Sequence, residues 1–480
     1  MKNTKDLISK AKSFYENRNY FKAKSHLFEA LNDTQIDEIT KSKLYILIAD
    51  TCYKINEFDN TEKYLLKYTK EFNINSELLN WLGNTYLKKR DYKNSEKFYL
   101  KSIKLNSNNE IALINLAILY HNLGDQKKAI EFYQKILSIN PKNIGALYNL
   151  SNIDRSVINE KNLKILKSLI KEKKLSNFNI ASCYFLLAEN EKNKKNFENE
   201  IKLLSEANKY SFKEKENKNK QVNEYWLKII PKKFNKIQYS TNNESLIETK
   251  IYPIFIIGLP RCGSTLIESI ISSGKNKVEN LGETNLVNWA FLNSNRDILQ
   301  NRTDEEKKIL INFGITADRL KNSINNLNIK KNEKCILSEK SLENFYYIEL
   351  ILNIYPNAKF INPYRNLIDN IFAIYKQFLS NVSWSHSIDD ILLYIDNYLF
   401  TMNYFKQKYP NKIFSIPLES FTNNPKKLAM EMYEFCNLMW DDKCLEFHKR
   451  KDLFINTASN NQIRNSVQKY DVNKYQYYKQ

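Results

Sequence analysis

Along the first two hundred positions, apolar residues recur at helical spacing, and they do so with a fixed period. Laying Ser76–Asn109 over Glu110–Asn143 sets Leu82 on Leu116, Gly83 on Ala117, Tyr86 on Tyr120, Phe98 on Phe132 and Ile103 on Leu137; the step from 76 to 110 is 34 residues. The same step backward reaches Ile48, Ala49, Phe58 and Tyr64, and forward reaches Leu150 and Ser151. Each unit puts a small residue (Ala49, Gly83, Ala117) where two helices of a pair must approach closely, and "KKRDY" and "NLGDQ" form turns between the helices. The segments 11–31 and 180–208 keep the pattern more loosely, as terminal repeats with different surroundings do. The pattern predicts an all-α superhelix of paired helices over residues 1–212.

The pattern then changes twice. "FKEKENKNKQ" (212–221) is highly charged without apolar periodicity and reads as a solvated linker or helix end. "VNEYWLKIIPKKF" has helical spacing up to Pro231, and "NKIQYSTNNESLIETK" reads as a polar loop, so 213–249 is expected to be a linker. From Ile251, "IYPIFIIG" is apolar on both faces, as a central parallel strand covered on both sides must be. "LPRCGS" is a turn and "TLIESIISSG" an amphipathic helix; "AKFINPYRNLIDNIFAIYKQFL" repeats the strand, turn and helix. Residues 250–480 are therefore predicted to form a three-layer α/β domain with a central parallel sheet, and the chain to be multidomain.

Composition narrows the function classes. The chain has 480 residues, 42% of them hydrophobic and 13% aromatic, enough for more than one real core. Its longest apolar run, Ile251–Leu259, is too short to cross a bilayer, and the charged N-terminus lacks the apolar segment of a secretory signal, so the reading is a soluble, cytoplasmic protein. Six cysteines without C-x-x-C spacing and four scattered histidines signal neither a disulfide framework nor a metal site. The net charge of +20 is spread along the chain as a Lys and Asn surplus, which reads as compositional bias and not as a nucleic-acid surface, but which favours a small polyanionic ligand.

The chemistry starts at "IIGLPRCGST" (256–265). Gly258, Gly263 and Thr265 stand in the register of a nucleotide phosphate loop, but Ser264 occupies the position of its lysine. A strand, a tight turn and a helix N-terminus aim several backbone N–H groups at one point and favour an anion there. Arg261 adds a guanidinium, and Ser264 and Thr265 add hydroxyls. Without the lysine, ordinary triphosphate hydrolysis is disfavoured.

Together with "LGETN" (281–285), "SEKSLENFYY" (338–347), "INPYRNLIDN" (361–370) and "TASNNQIR" (457–464), this loop resembles the sulfotransferase family, closest to bacterial tetratricopeptide-linked sulfotransferases, which are similar to tyrosylprotein sulfotransferases. The helical repeats likewise resemble tetratricopeptide repeats. The resemblance implies 3′-phosphoadenosine 5′-phosphosulfate (PAPS) as co-substrate without a metal, and a hydroxyl acceptor on a protein tyrosine, a carbohydrate or a small molecule. It implies that Arg261 and the loop residues Cys262, Gly263, Ser264, Thr265 and Leu266 hold the 5′-phosphosulfate, and that Lys340 acts with Arg261 on the leaving group. Glu283 would be the general base, Arg365 would grip the 3′-phosphate, and Ser459 and Arg464 would close over the donor.

The chain also departs from the family pattern. Leu367 follows Arg365 where a proline is usual, Leu342 replaces a proline beside Lys340, and Ala373 stands where a serine completes the 3′-phosphate site, leaving Asn370 as a replacement donor. These departures keep open a repeat-based interaction scaffold with a degenerate transferase domain, the repeat groove holding a protein or peptide; a magnesium-dependent phosphoryl transferase is a third reading.

Overall fold

The computed structural model describes residues 2–172, 175–239, 250–300, 309–327, 329, 335–450, 452–470 and 474–478. The chain packs as two compact units: Met1–Tyr120 with Glu131–Ile139 and Lys321–Ile329, and His121–Ile130 with Asn140–Leu320 and Lys330–Gln480.

In the first unit the period becomes paired helices, among them Glu38–Lys54 with Phe58–Glu71 and Ser76–Lys88 with Tyr92–Leu105. The small residue has the expected reason: a Cβ on Gly83 would come within 2.5 Å of the Tyr99 ring. Polar groups repeat with the same period. Thr61 Oγ1 donates to the Ala49 carbonyl at 3.2 Å and Ser95 Oγ to the Gly83 carbonyl at 2.9 Å. Tyr86 donates to Glu62 and Tyr120 to Glu96, each at 2.6 Å. The core between these bonds is apolar, with Ile48, Leu82 and Leu116 fully buried, each such side chain contributing about 1.5–3 kcal/mol. The turns carry the period too, since Asn56 and Arg90 have positive φ, as does Gly124, one period on, in the second unit.

The second unit contains the looser helix pair Asn177–Asn193 and Phe197–Lys213. Between the helical and α/β parts, the helical spacing up to Pro231 is realised and helix continues back into the charged stretch: Glu216–Glu224 runs into a π turn, Tyr225–Ile229, and a last helical turn, Ile230–Lys233. The cause is tertiary. Leu227, Ile230 and Phe234 are buried, Trp226 stacks on Tyr346 at 5.9 Å and Phe234 lies 5.4 Å from Phe405. Local charge masked this anchor. The expected polar loop falls partly outside the described residues, over 240–249.

Seven strands lie among the described residues: β1 (Ile237–Gln238), β2 (Ile251–Ile256), β3 (Glu279–Asn280), β4 (Ile309–Leu310), β5 (Cys335–Glu339), β6 (Lys359–Tyr364) and β7 (Ile413–Pro417). β1 and β4 form a short parallel pair, and the others form a sheet in the order β3-β5-β2-β6-β7 with every pairing parallel. Alternation along the strands builds two faces. Ile254, Ile256 and Ile361 pack with Ile267, Ile270 and Met432, from helices Ser264–Ile271 and Pro425–Phe435. On the other face Phe255 stacks on Phe360 at 5.6 Å, and Asn362 accepts a 2.7 Å bond from Tyr398 on helix Ile388–Lys408. The domain is the expected three-layer α/β arrangement. The chain runs from β2 to one side of the sheet and then to the other, so the crevice where the order reverses opens at the carboxyl end of β2, where ligands of such sheets bind.

Candidate functional site

The loop after β2 is built for close approach. Gly258 (φ +146) would bring a Cβ within 3.1 Å of the Pro363 carbonyl, and Gly263 (φ +91), the residue before helix Ser264–Ile271, within 2.6 Å of Leu418. Arg261 also has positive φ. No side chain caps the start of this helix, so its first amides, with a partial positive charge, remain directed at the loop. Ser264 and Thr265 are buried there, and Thr265 Oγ1 sits 3.2 Å from Thr457 Oγ1. The Cys262 thiol is fully buried and pushed up to about 11 by that burial, which makes it a packing residue. Leu266 packs its side chain against the core and can offer the loop only its N–H.

The strand ends bring the other residues to this loop. Leu281 N–H bonds to the Ser338 carbonyl at 2.8 Å and Lys340 N–H to the Gly282 carbonyl at 2.9 Å, so the pairing of β3 with β5 sets "LGETN" beside "SEKS". Lys340 Nζ then donates to Glu283 Oε1 at 2.5 Å and lies 4.0 Å from Glu268 Oε2. Lys340 is fully buried, whereas the Glu283 side chain is 50% exposed. Burial alone would lower the Lys340 pKa, but Glu283 and Glu268 outweigh it and hold the ammonium charged. Around this pair Thr284 donates to Glu339 at 2.8 Å, and Asn285 N–H to Ser341 Oγ at 2.7 Å. Gly258 N–H bonds to the Leu342 carbonyl at 3.1 Å, tying the loop after β2 to the lysine segment.

A second cation sits at the end of β6. Arg365 Nη1 donates to the Arg261 carbonyl at 3.1 Å and Nη2 to the Asp369 carbonyl at 3.0 Å; Nη2 also donates to the Tyr470 hydroxyl, and Nε is buried with no hydrogen-bond partner. Arg261 donates to Ser459 Oγ at 2.7 Å and to Gln462 Oε1 at 3.4 Å. Burial, and then the charge of Arg365, lower the Arg261 pKa. Two guanidiniums that disfavour each other, beside uncapped helix amides, form a site that an anion relieves. A cleft of about 660 Å³ opens alongside, between the end of β6 and helix Ile388–Lys408, lined by Leu259, Arg365, Asn370, Met402 and Lys406.

Not every expected residue converges here. Arg464 is spent on main-chain carbonyls: Asn122 at 2.9 Å, Leu453 at 3.1 Å and Arg450 at 3.3 Å. Its guanidinium covers Gly124, where a Cβ would meet Cζ at 2.8 Å. It clamps the last segment in place, and its Nε donates to Asn460 Oδ1 at 3.3 Å. Asn370 donates to the Pro260 carbonyl at 2.7 Å, so its amide buttresses the loop. Glu268 and Tyr470 escaped the sequence reading. Glu268 lies on the apolar face of its helix, between Ile267 and Ile270, and a carboxylate in that position is the one local signal available. Tyr470 stands 105 residues from Arg365 with no motif around it.

Residues 253–442 match the sulfotransferase family, and residues 76–109 and 111–143 match tetratricopeptide repeats. A protein of Aquifex aeolicus (strain VF5) is 29% identical in an alignment 245 residues long that covers 47% of this chain and 30% of that protein. The chain thus spans under a third of that relative's length. Similar solved structures include the sulfotransferase domain from the curacin biosynthetic pathway, 16% identical over 45% of this chain and 86% of that one with a TM-score of 0.29. Another is the sulfotransferase domain from the Synechococcus PCC 7002 olefin synthase, 13% identical over 50% of this chain and 91% of that one with a TM-score of 0.32.

Proposed function

We propose, for a chain that carries tetratricopeptide repeats and a sulfotransferase-family segment, that the α/β domain moves a sulfuryl group from PAPS to a hydroxyl acceptor. The observation that carries the reading is the buried Lys340, held between Glu283 and Glu268 and tied to an uncapped phosphate loop. The donor supplies an activated sulfuryl group on a 5′-phosphate. Arg261, Ser264, Thr265 and the amides from Cys262 to Leu266 bind that end, Ser459 orients Arg261, and Arg365 binds the 3′-phosphate.

Glu283 takes the acceptor proton as the acceptor oxygen bonds to sulfur and the bond from sulfur to the bridging oxygen breaks. The electron pair stays on the bridging oxygen, where Lys340 and Arg261 stabilise it. The 2.5 Å pair links these two tasks. As Glu283 becomes neutral it loses its hold on Lys340, whose charge is then directed to the leaving phosphate. Half-exposed Glu283 is open to an acceptor, and buried Lys340 is shielded from solvent. The repeats hold the acceptor or a partner protein.

The test is release of 3′-phosphoadenosine 5′-phosphate from PAPS in the presence of a tyrosyl peptide, a carbohydrate and a phenol as acceptors. Acceptor-dependent release that falls in Glu283→Gln and Lys340→Met supports the assignment. Selective binding of ATP with magnesium, and none of the adenosine bisphosphate, removes it.

A further inference from the structure

The cleft beside the end of β6 is a cavity that the proposed transfer leaves unused, apart from Arg365. It holds about 660 Å³, within the range of small-molecule sites. Leu259, Ile368, Leu399 and Met402 give it apolar walls, and Tyr364, Leu367, Ile368 and Leu399, which all line it, are 38–46% exposed. A contiguous apolar patch of that kind marks a binding surface. The sheet order sets the cleft apart from the chemistry. Glu283 and Lys340 follow β3 and β5, and β2 stands between β5 and β6. With strands about 4.8 Å apart, that is a separation of about 10 Å. The helix Ile388–Lys408 that walls the cleft also packs on the sheet face opposite helix Ser264–Ile271.

Three charged side chains line the cleft, Arg365, Lys406 and Glu419, so it carries one positive charge in excess. Glu419 is engaged by the Asn366 N–H at 2.7 Å. The Lys406 ammonium lies 5.8 Å from the centre of the Tyr364 ring. Burial lowers its pKa, and no carboxylate acts to raise it, so a bound anion would stabilise its charge. Asn370 supplies a second polar group. It lines the cleft, is 1% exposed, and spends its Nδ2 on the Pro260 carbonyl, while its Oδ1 is buried without a hydrogen-bond partner. A buried acceptor in that state is costly until a donor meets it. We propose that this cleft is a second ligand site, for an organic anion with an apolar body: its charged group pairs with Lys406, its body lies on Leu259, Leu399 and Met402, and a hydroxyl or amide N–H on it donates to Asn370 Oδ1. Neither Lys406 nor Leu399 has a part in the PAPS reading, so this inference stands or falls separately from it.

The experiment is calorimetric titration of the full chain with decanoate and with 10-hydroxydecanoate, which differ only in the terminal hydroxyl. The hydroxy acid should bind about three- to tenfold tighter, the measure of one neutral hydrogen bond. Lys406→Gln should weaken both acids about tenfold, and Leu399→Glu, which sets a carboxylate on the apolar wall, by at least about tenfold. Both side chains are partly exposed, so thermal unfolding should be unchanged in either variant. Binding that neither variant weakens overturns the inference, because it places the anion elsewhere on a chain of net charge +20. Equal affinities for the two acids overturn it as well, since Asn370 then takes no part. So does the absence of binding at about 1 mM.

Discussion

Replacing Lys340 with methionine keeps most of the side-chain volume and removes the charge. Glu268, 3% exposed, then loses the ammonium 4.0 Å away. Coulomb's law at that distance and an effective dielectric of about 20 gives about 4 kcal/mol. Glu283 adds little to this, because its half-exposed carboxylate returns to water. Breaking a buried pair from one side typically costs about 3–5 kcal/mol, so Lys340→Met should lose about 2–4 kcal/mol at pH 7 by urea unfolding. Glu268 keeps the Gly282 N–H at 3.2 Å but no longer faces the ammonium, so in the variant it should be protonated more readily in the folded than in the unfolded chain. The deficit should therefore shrink as pH falls through its folded-state pKa. Glu268→Gln in the same background should recover most of the stability and none of the sulfuryl transfer. A loss under about 0.5 kcal/mol, or additive effects of the two changes in a double-mutant cycle, would refute the buried ion-pair argument.

Further outcomes follow from other parts of the structure. Glu283→Gln should lower turnover by about 10²–10⁴-fold, with affinity for adenosine 3′,5′-bisphosphate unchanged by calorimetry. Gly263→Ala should destabilise the domain by about 1–2 kcal/mol and weaken bisphosphate binding, since the φ of +91 is strained for any side chain and Leu418 lies in the way. Gly83→Ala, which would raise stability by about 1 kcal/mol in an open helix, should lower it in thermal unfolding because the new methyl meets the Tyr99 ring. Burial pushes the Glu343 carboxyl up to about 7, so the folded chain binds its proton more tightly than the unfolded chain between pH 4.5 and 7. That contribution is lost as pH rises, by up to about 3 kcal/mol, and Glu343→Gln should flatten the slope between pH 5 and 8.

The sequence by itself determined whatever a short stretch can carry. The 34-residue period needs only near neighbours in the chain, and it foretold the helix pairs and the close approach at Gly83. The doubly apolar "IYPIFIIG" foretold a central parallel strand, and the spacing of Gly258, Gly263 and Thr265 foretold the tight glycine turn into the helix. Tertiary structure decided what distant segments do to one another. Burial against Tyr346 and Phe405 anchors the helix whose spacing is legible up to Pro231, and that helix continues back through charged residues to Glu216. The pairing of β3 with β5 brought Glu283 onto Lys340, and only that pairing, with the helix after the loop, revealed Glu268 as the second carboxylate. The partners of Arg464 and Tyr470 were decided in the same way. The first matches a motif, but its donors are taken by carbonyls of Asn122, Arg450 and Leu453; the second matches none, yet reaches Arg365. A motif records which groups are present, but the long-range hydrogen bonds decide which of their donors remain for a ligand.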